Sequence, residues 1–134
     1  MGNVEEKKPV INFQDMMEMQ RELYEPHQGE WDPLAPPYAR NRLLWMVEEV
    51  GECIAIIKKK GDAAIMEDQA VRENFCAEAA DVLMYLNDVL ISYGVSPEEI
   101  SRAYVEKHAY NMRRNYNKQN EKLYTEKVLS ESGK

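Results

Sequence analysis

Ala39-Arg40-Asn41-Arg42-Leu43-Leu44-Trp45-Met46-Val47-Glu48-Glu49-Val50-Gly51-Glu52-Cys53-Ile54-Ala55-Ile56-Ile57-Lys58-Lys59-Lys60 is the stretch on which the fold turns. Leu43, Leu44, Met46, Val47, Val50, Ile54 and Ile57 form one broad apolar stripe when the chain is wound as an α-helix. Lys58, Lys59 and Lys60 followed by Gly61 suit a helix C-terminus, because cations offset the negative end of the macrodipole and glycine accepts the left-handed cap. Val50, Met46, Ile57 and Leu43 fall near the centre of the apolar arc, which predicts that they face the core. Glu49 and Glu52 lie together at one edge, beside Trp45 and Ile56, and Glu48 points further outward.

A second long helix is predicted from Val71 to Tyr93, with Phe75, Ala79, Val82, Leu83, Leu86, Val89 and Leu90 inward and Gly94 as its stop. Glu78 and Asp81 occupy the same kind of boundary on it, beside Val71, Val82 and Tyr85, with Asn74 one turn earlier and Asp88 two turns later. Like charges three apart on a helix repel, at a cost of about a few tenths of a kcal/mol, and apolar neighbours add a desolvation cost. One such pair is the ordinary pattern of a solvated helix face. Two pairs on adjacent long helices are not, because antiparallel packing would bring Glu49, Glu52, Glu78 and Asp81 together. A hard divalent cation with oxygen ligands would offset the repulsion. A diiron carboxylate oxidase is disfavoured by the absence of Glu-x-x-His from both helices; His27 and His108 lie elsewhere and read as surface or hydrogen-bonding residues.

The remainder of the chain completes an all-α, four-helix domain. Asn12-Phe13-Gln14-Asp15 opens a first helix that runs to about Tyr24, after a flexible segment at residues 1–11. Pro26, Gly29, Pro33, Pro36 and Pro37 predict a loop from Glu25 to Tyr38 that carries Trp31. Residues 62–69 read as a loop or a short helix. Ser96, Pro97 and Glu99 form a Ser-x-x-Glu start for the last helix, expected to reach about Tyr116. The domain therefore spans residues 12–116, and a polar tail, 117–134, carries Leu123, Tyr124, Val128 and Leu129 as a potential short docking helix. No solenoid repeat and no sustained heptad is present.

With 134 residues, one domain is expected, and 44% hydrophobic and 31% charged residues with only six Gly and six Pro suit a helical protein. A net charge of -7 opposes broad attraction to a nucleic-acid polymer or an anionic membrane. Cys53 and Cys76 have neither a disulfide framework nor metal-ligand spacing, and read as reduced core thiols. No apolar run approaches the ~20 residues of a bilayer span, and Met1 to Lys8 lacks a signal-peptide core. A cytoplasmic location is expected.

Glu48-Glu49-Val50-Gly51-Glu52 followed by Glu78-Ala79-Ala80-Asp81 resembles the EExxE and ExxD signature of the MazG-like, all-α nucleoside triphosphate pyrophosphohydrolases. The likeness extends to Arg40-Asn41 and to Lys107, Asn111, Arg113 and Arg114 on the last helix, and covers roughly residues 12 to 116. It implies hydrolysis of a nucleoside triphosphate between the α and β phosphates, with magnesium as cofactor and manganese as an alternative ion. By position, Glu49, Glu52, Glu78 and Asp81 would hold the metal, and Glu48 would orient or deprotonate a water. Lys107, Asn111 and Arg114 would approach phosphate or sugar, Asn41 would contact the substrate, and Trp31 and Tyr38 would stack on the base. The resemblance also implies a homodimer or homotetramer, in agreement with boundary residues such as Trp45, Met84 and Ile91 that one small bundle need not bury. All-α dUTPases and phosphoribosyl-ATP pyrophosphohydrolases share the acidic pattern, which does not select the base. At Lys59 the chain departs from members acting on dCTP, which place an aromatic base contact there. A noncatalytic cation-binding helical module is the alternative of a different class.

Overall fold

A computed structural model describes the backbone of residues 9–132 and the side chains of residues 9–114. Its helices are α1 (Phe13–Tyr24), α2 (Pro36–Lys60), α3 (Asp62–Glu67), α4 (Gln69–Ser92) and α5 (Pro97–Ser132), with a 3-10 turn at Glu25–His27. No strand occurs among the described residues, where Gln28 and Trp31 form only an isolated bridge. The fold is therefore all-α, with one short helix, α3, added to the four long ones. Residues 1–8 of the expected N-terminal segment lie outside the described residues.

Local chemistry accounts for each helix end. Asn12 accepts from the Asp15 amide at 2.9 Å and Asp15 Oδ2 accepts from the Asn12 amide at 2.9 Å, a reciprocal capping box that starts α1. The double proline Pro36-Pro37 begins α2 rather than preceding it. Proline has its φ preset for a helix, and at the first helical positions its missing N–H would have had no intrahelical partner. Gly61, at φ 84°, ends α2 and starts α3. Asp68 accepts from the amides of Ala70 (3.0 Å) and Val71 (3.3 Å), so α4 begins two residues before Val71. Gly94, at φ 70°, follows its end as expected.

The chain divides into two compact units, one ending at Pro97 and one beginning at Glu98. In the first, α2 packs on α4, α1 packs on α4, and α3 touches both α2 and α4. Arg42 pairs with Asp88, Glu49 faces Glu78 and Asp81, and Lys60 shares a cleft with Val71. Residue numbers descend on α4 as they rise on α2, so the two helices are antiparallel.

Met17 and Ala39 are the buried apolar residues among those described, whereas Gln20, Arg42, Asn87, Asp88 and Ser92 are buried polar ones. This differs from the expected core. On α4, Phe75, Ala79, Val82, Leu86, Val89 and Leu90 are half-buried, but Leu83 is exposed. On α2 the expected arc is split: Met46 is half-buried, whereas Leu43 (44%), Val47 (59%), Val50 (39%), Ile54 (51%) and Ile57 (43%) are exposed. The side of α2 that is buried or half-buried runs instead through Ala39, Arg42, Met46, Glu49, Cys53 and Ile56, and on it Arg42 and the buried Asp88 satisfy each other.

The second unit is the continuous helix α5, which passes the expected end near Tyr116 and reaches Ser132. Nothing from Glu98 to Ser132 breaks it, for that stretch holds no glycine or proline and is rich in Glu, Lys, Arg and Gln. Polarity after Asn117 bears on burial rather than on backbone conformation, which is why the expected end came too early. The side chains of Leu123, Tyr124, Val128 and Leu129 lie outside the described residues. Among the described residues, no helix is long and apolar enough to cross a membrane.

Candidate metal centre and adjoining cleft

Glu49 from α2 meets Glu78 and Asp81 from α4, with one carboxylate oxygen of each within 4.8 Å of the others. The three side chains are half-buried. This set contains only hard oxygen donors, which fits magnesium or another hard cation and does not favour a thiophilic one. Three of the four anticipated ligands are thus brought together. Glu52, one turn further along α2, is exposed and borders a neighbouring cleft with Glu78. Glu48, on the same helix, is exposed.

Crowding sets the electrostatics. The Glu49 carboxyl is held above its ordinary pKa, first by a hydrogen bond with Glu78 that its protonated form makes. Desolvation follows, and then repulsion from Asp81, Glu78 and Glu52. Burial raises the Cys53 thiol, and the charges of Glu78 and Glu49 add to it, so the sulfur stays a thiol beside the acids. Tyr85 is raised by burial and by the charges of Glu49, Asp81 and Asp88, with Arg42 opposing. A cation among the carboxylates would relieve the repulsion that a shared proton relieves in its absence.

A cleft of about 480 Å³ opens onto Glu49 and Asp81, with Trp31, Trp45 and Tyr85 as aromatic walls. Trp45 and Tyr85 lie tilted, with ring centroids 6.0 Å apart, and Trp31 stacks on His27 at 3.8 Å. The cleft floor is a polar network that the sequence reading did not identify. Asp88 accepts from Gln20 Nε2 at 2.9 Å, and its other oxygen lies 3.4 Å from Arg42 Nε. Arg42 also donates to the carbonyls of Pro33 (2.9 Å) and Asp32 (2.5 Å), which ties the proline-rich loop to α2 and α4. Burial pushes the Asp88 carboxyl above its ordinary value, while Gln20 and Arg42 oppose the shift. A sequence signal existed for Arg42, which stands seven residues before Glu49 and hence on the same helix edge.

Of the other anticipated contacts, Trp31 borders the cleft beside the acids. Asn41 donates its amide to Asp32 Oδ2 at 3.3 Å, so in this structure it braces the loop. Tyr38 is exposed near the start of α2. Lys107, Asn111 and Arg114 follow one another at spacings of four and three on α5 and share a face of that helix. Lys107 Nζ lies 5.1 Å from the Tyr110 ring centroid, within cation-π range. No protein-family model, curated protein or solved structure matches this chain.

Proposed function

We propose that the chain is a magnesium-dependent nucleoside triphosphate pyrophosphohydrolase of MazG-like type, acting on noncanonical or surplus deoxynucleotides. The observation that carries this reading is the convergence of Glu49, Glu78 and Asp81 within 4.8 Å at the edge of an aromatic-walled cleft. The EExxE and ExxD resemblance supplies the reaction: water adds at phosphorus, the α-β bridging bond breaks, and a monophosphate and pyrophosphate leave. Bound magnesium would supply charge neutralisation at phosphate oxygens and acidify water.

The chain's own residues then divide the work. Glu49, Glu78 and Asp81 present oxygen atoms to the cation from two helices, and Glu52 stands ready one turn away. On the resemblance alone, Glu48, which is exposed and borders neither cleft, would take the proton from water. Trp31, Trp45 and Tyr85 offer flat apolar faces to a base, and the Arg42 bonds to Asp32 and Pro33 hold the loop that carries Trp31. Asn41 acts on this cleft through Asp32. Lys107, Asn111 and Arg114 remain candidates for phosphate or sugar, and Tyr38 for the base, on the resemblance.

The same reading makes the chain a homo-oligomer, supported by the exposed stripe on α2. It is tested with a panel of purine and pyrimidine triphosphates, with magnesium present or chelated and products separated by chromatography. Pyrophosphate and monophosphate should appear together and only with the metal. Orthophosphate and diphosphate as first products would place the activity in another phosphatase class. Metal binding without pyrophosphate release from any nucleotide would favour the noncatalytic module.

A further inference from the structure

The α2-α4 seam holds a second cleft, of about 330 Å³, bordered by Glu52, Ile56, Lys59, Lys60, Asn74 and Glu78. We propose that this cleft grips the terminal phosphates of the substrate through Lys59 and Lys60, a proposal that rests on the pyrophosphohydrolase reading. The aromatic cleft would then hold the base, with the bond to be broken at the carboxylate cluster between them. Lys59 would serve phosphate at a position where MazG-like members acting on dCTP place a base contact.

Order along the helices places the cluster there. On α2 the first cleft uses Arg42, Trp45 and Glu49, and the second uses Glu52, Ile56, Lys59 and Lys60. On α4 the first uses Asp88, Tyr85 and Asp81, and the second continues through Glu78 and Asn74 to Val71. Glu78 belongs both to the carboxylate cluster and to the second cleft, and Glu49 and Asp81 border the first, so the cluster lies against both spaces. From Glu52 to Lys59 the axial distance is about 10 Å at the α-helical rise. Helical side chains lean towards their own N-terminus, which directs both lysines back along α2 towards the acids.

Charge separates the two spaces. The basic residue on the wall of the aromatic cleft is Arg42, already committed to Asp88 and two carbonyls. That cleft therefore offers a base a flat surface but gives a polyphosphate little to hold. Among the described residues, Lys59 and Lys60 have no ion-pair partner within 4.0 Å. The amides of Ala70 and Val71, which also border the second cleft, are taken by Asp68, so the lysines rather than the helix N-terminus supply its donors. The simpler account makes all three lysines helix-end charges complementing the macrodipole. Lys58 separates the two accounts, because it belongs to the same run but does not border the cleft.

The test is calorimetric titration of the full chain with inorganic pyrophosphate in magnesium, and in parallel with an α,β-imido deoxynucleoside triphosphate. Lys59→Gln/Lys60→Gln should weaken both ligands by about tenfold or more, the scale of losing charge-assisted hydrogen bonds. Lys58→Gln should change either by less than about twofold, and a deoxynucleoside monophosphate should bind all three proteins alike. Equal losses in Lys58→Gln and the double variant would overturn the proposal, as would unchanged affinity in the double variant or no pyrophosphate binding by the wild type. Loss for pyrophosphate alone, with the triphosphate analogue unaffected, would overturn the substrate assignment. If the wild type binds both ligands with the expected pattern yet hydrolyses no triphosphate, the phosphate grip stands and the hydrolase reading falls.

Discussion

Glu49 sits among like charges, and its neighbours Glu78, Asp81 and Glu52 all raise its proton affinity. Replacing Glu49 with Gln or Asp81 with Asn should remove part of the repulsion and with it the attraction for a cation. Magnesium-dependent turnover is expected to fall by about 100-fold or more, and the rise in Tm on adding magnesium should disappear. Thermal scans with and without chelator check this; an intact magnesium shift in both variants would rule out the three-carboxylate centre. Asp88 provides a second residue-level test. Its folded-state pKa is raised above the ordinary 3.8, chiefly by burial, so the folded chain keeps a proton where the unfolded chain has lost it. The sign follows: stability from this group declines as pH rises from about 3.8 through the raised value and is level above it. As pH rises above about 3.8, Tm of the wild type should therefore fall more than that of Asp88→Asn. Parallel curves would show that the carboxyl is not proton-linked to folding.

At the scale of elements, the proline-rich loop and the α2-α4 seam have different jobs in the proposed chemistry. The acids can position phosphate but distinguish bases poorly, whereas Trp31, stacked on His27 and held through Asp32 and Pro33, presents an aromatic face. Trp31→Ala is expected to change the ratios of kcat/KM among triphosphates by about tenfold, the worth of one aromatic stacking contact, while leaving magnesium affinity unchanged. Unaltered ratios would make Trp31 a packing residue. Helix ends were largely legible in the sequence because caps are local: Asn12 with Asp15, Gly61, Gly94 and Pro97 stand where side-chain chemistry puts them. Glu49, Glu78 and Asp81 were legible for a related reason, since helical spacing puts each acid at an apolar boundary. The rotation of α2 was not legible. Periodicity identifies an apolar face but does not name what covers it, and the buried side of α2 mixes Arg42 and Glu49 with Ala39, Met46, Cys53 and Ile56. Pro36 and Pro37 were misread because proline stops a helix from within and starts one at its first positions.

For the whole molecule, the stripe Leu43, Val47, Val50, Ile54 and Ile57 is exposed, and under the proposed homo-oligomer a second copy would cover it. Light scattering at micromolar concentration is expected to give a multiple of the 15.6 kDa chain mass. Val50→Glu with Ile54→Glu should shift the population towards the single chain, because each places a charge in the stripe. A single-chain mass for the wild type would contradict the oligomer. The stripe also makes abundance a folding variable. If copies close it for one another, dilution acts as a denaturant, and Tm rises with the logarithm of protein concentration. A chain newly made at low copy number would then be the least protected form of the protein, and its folded fraction would grow as its own population grew.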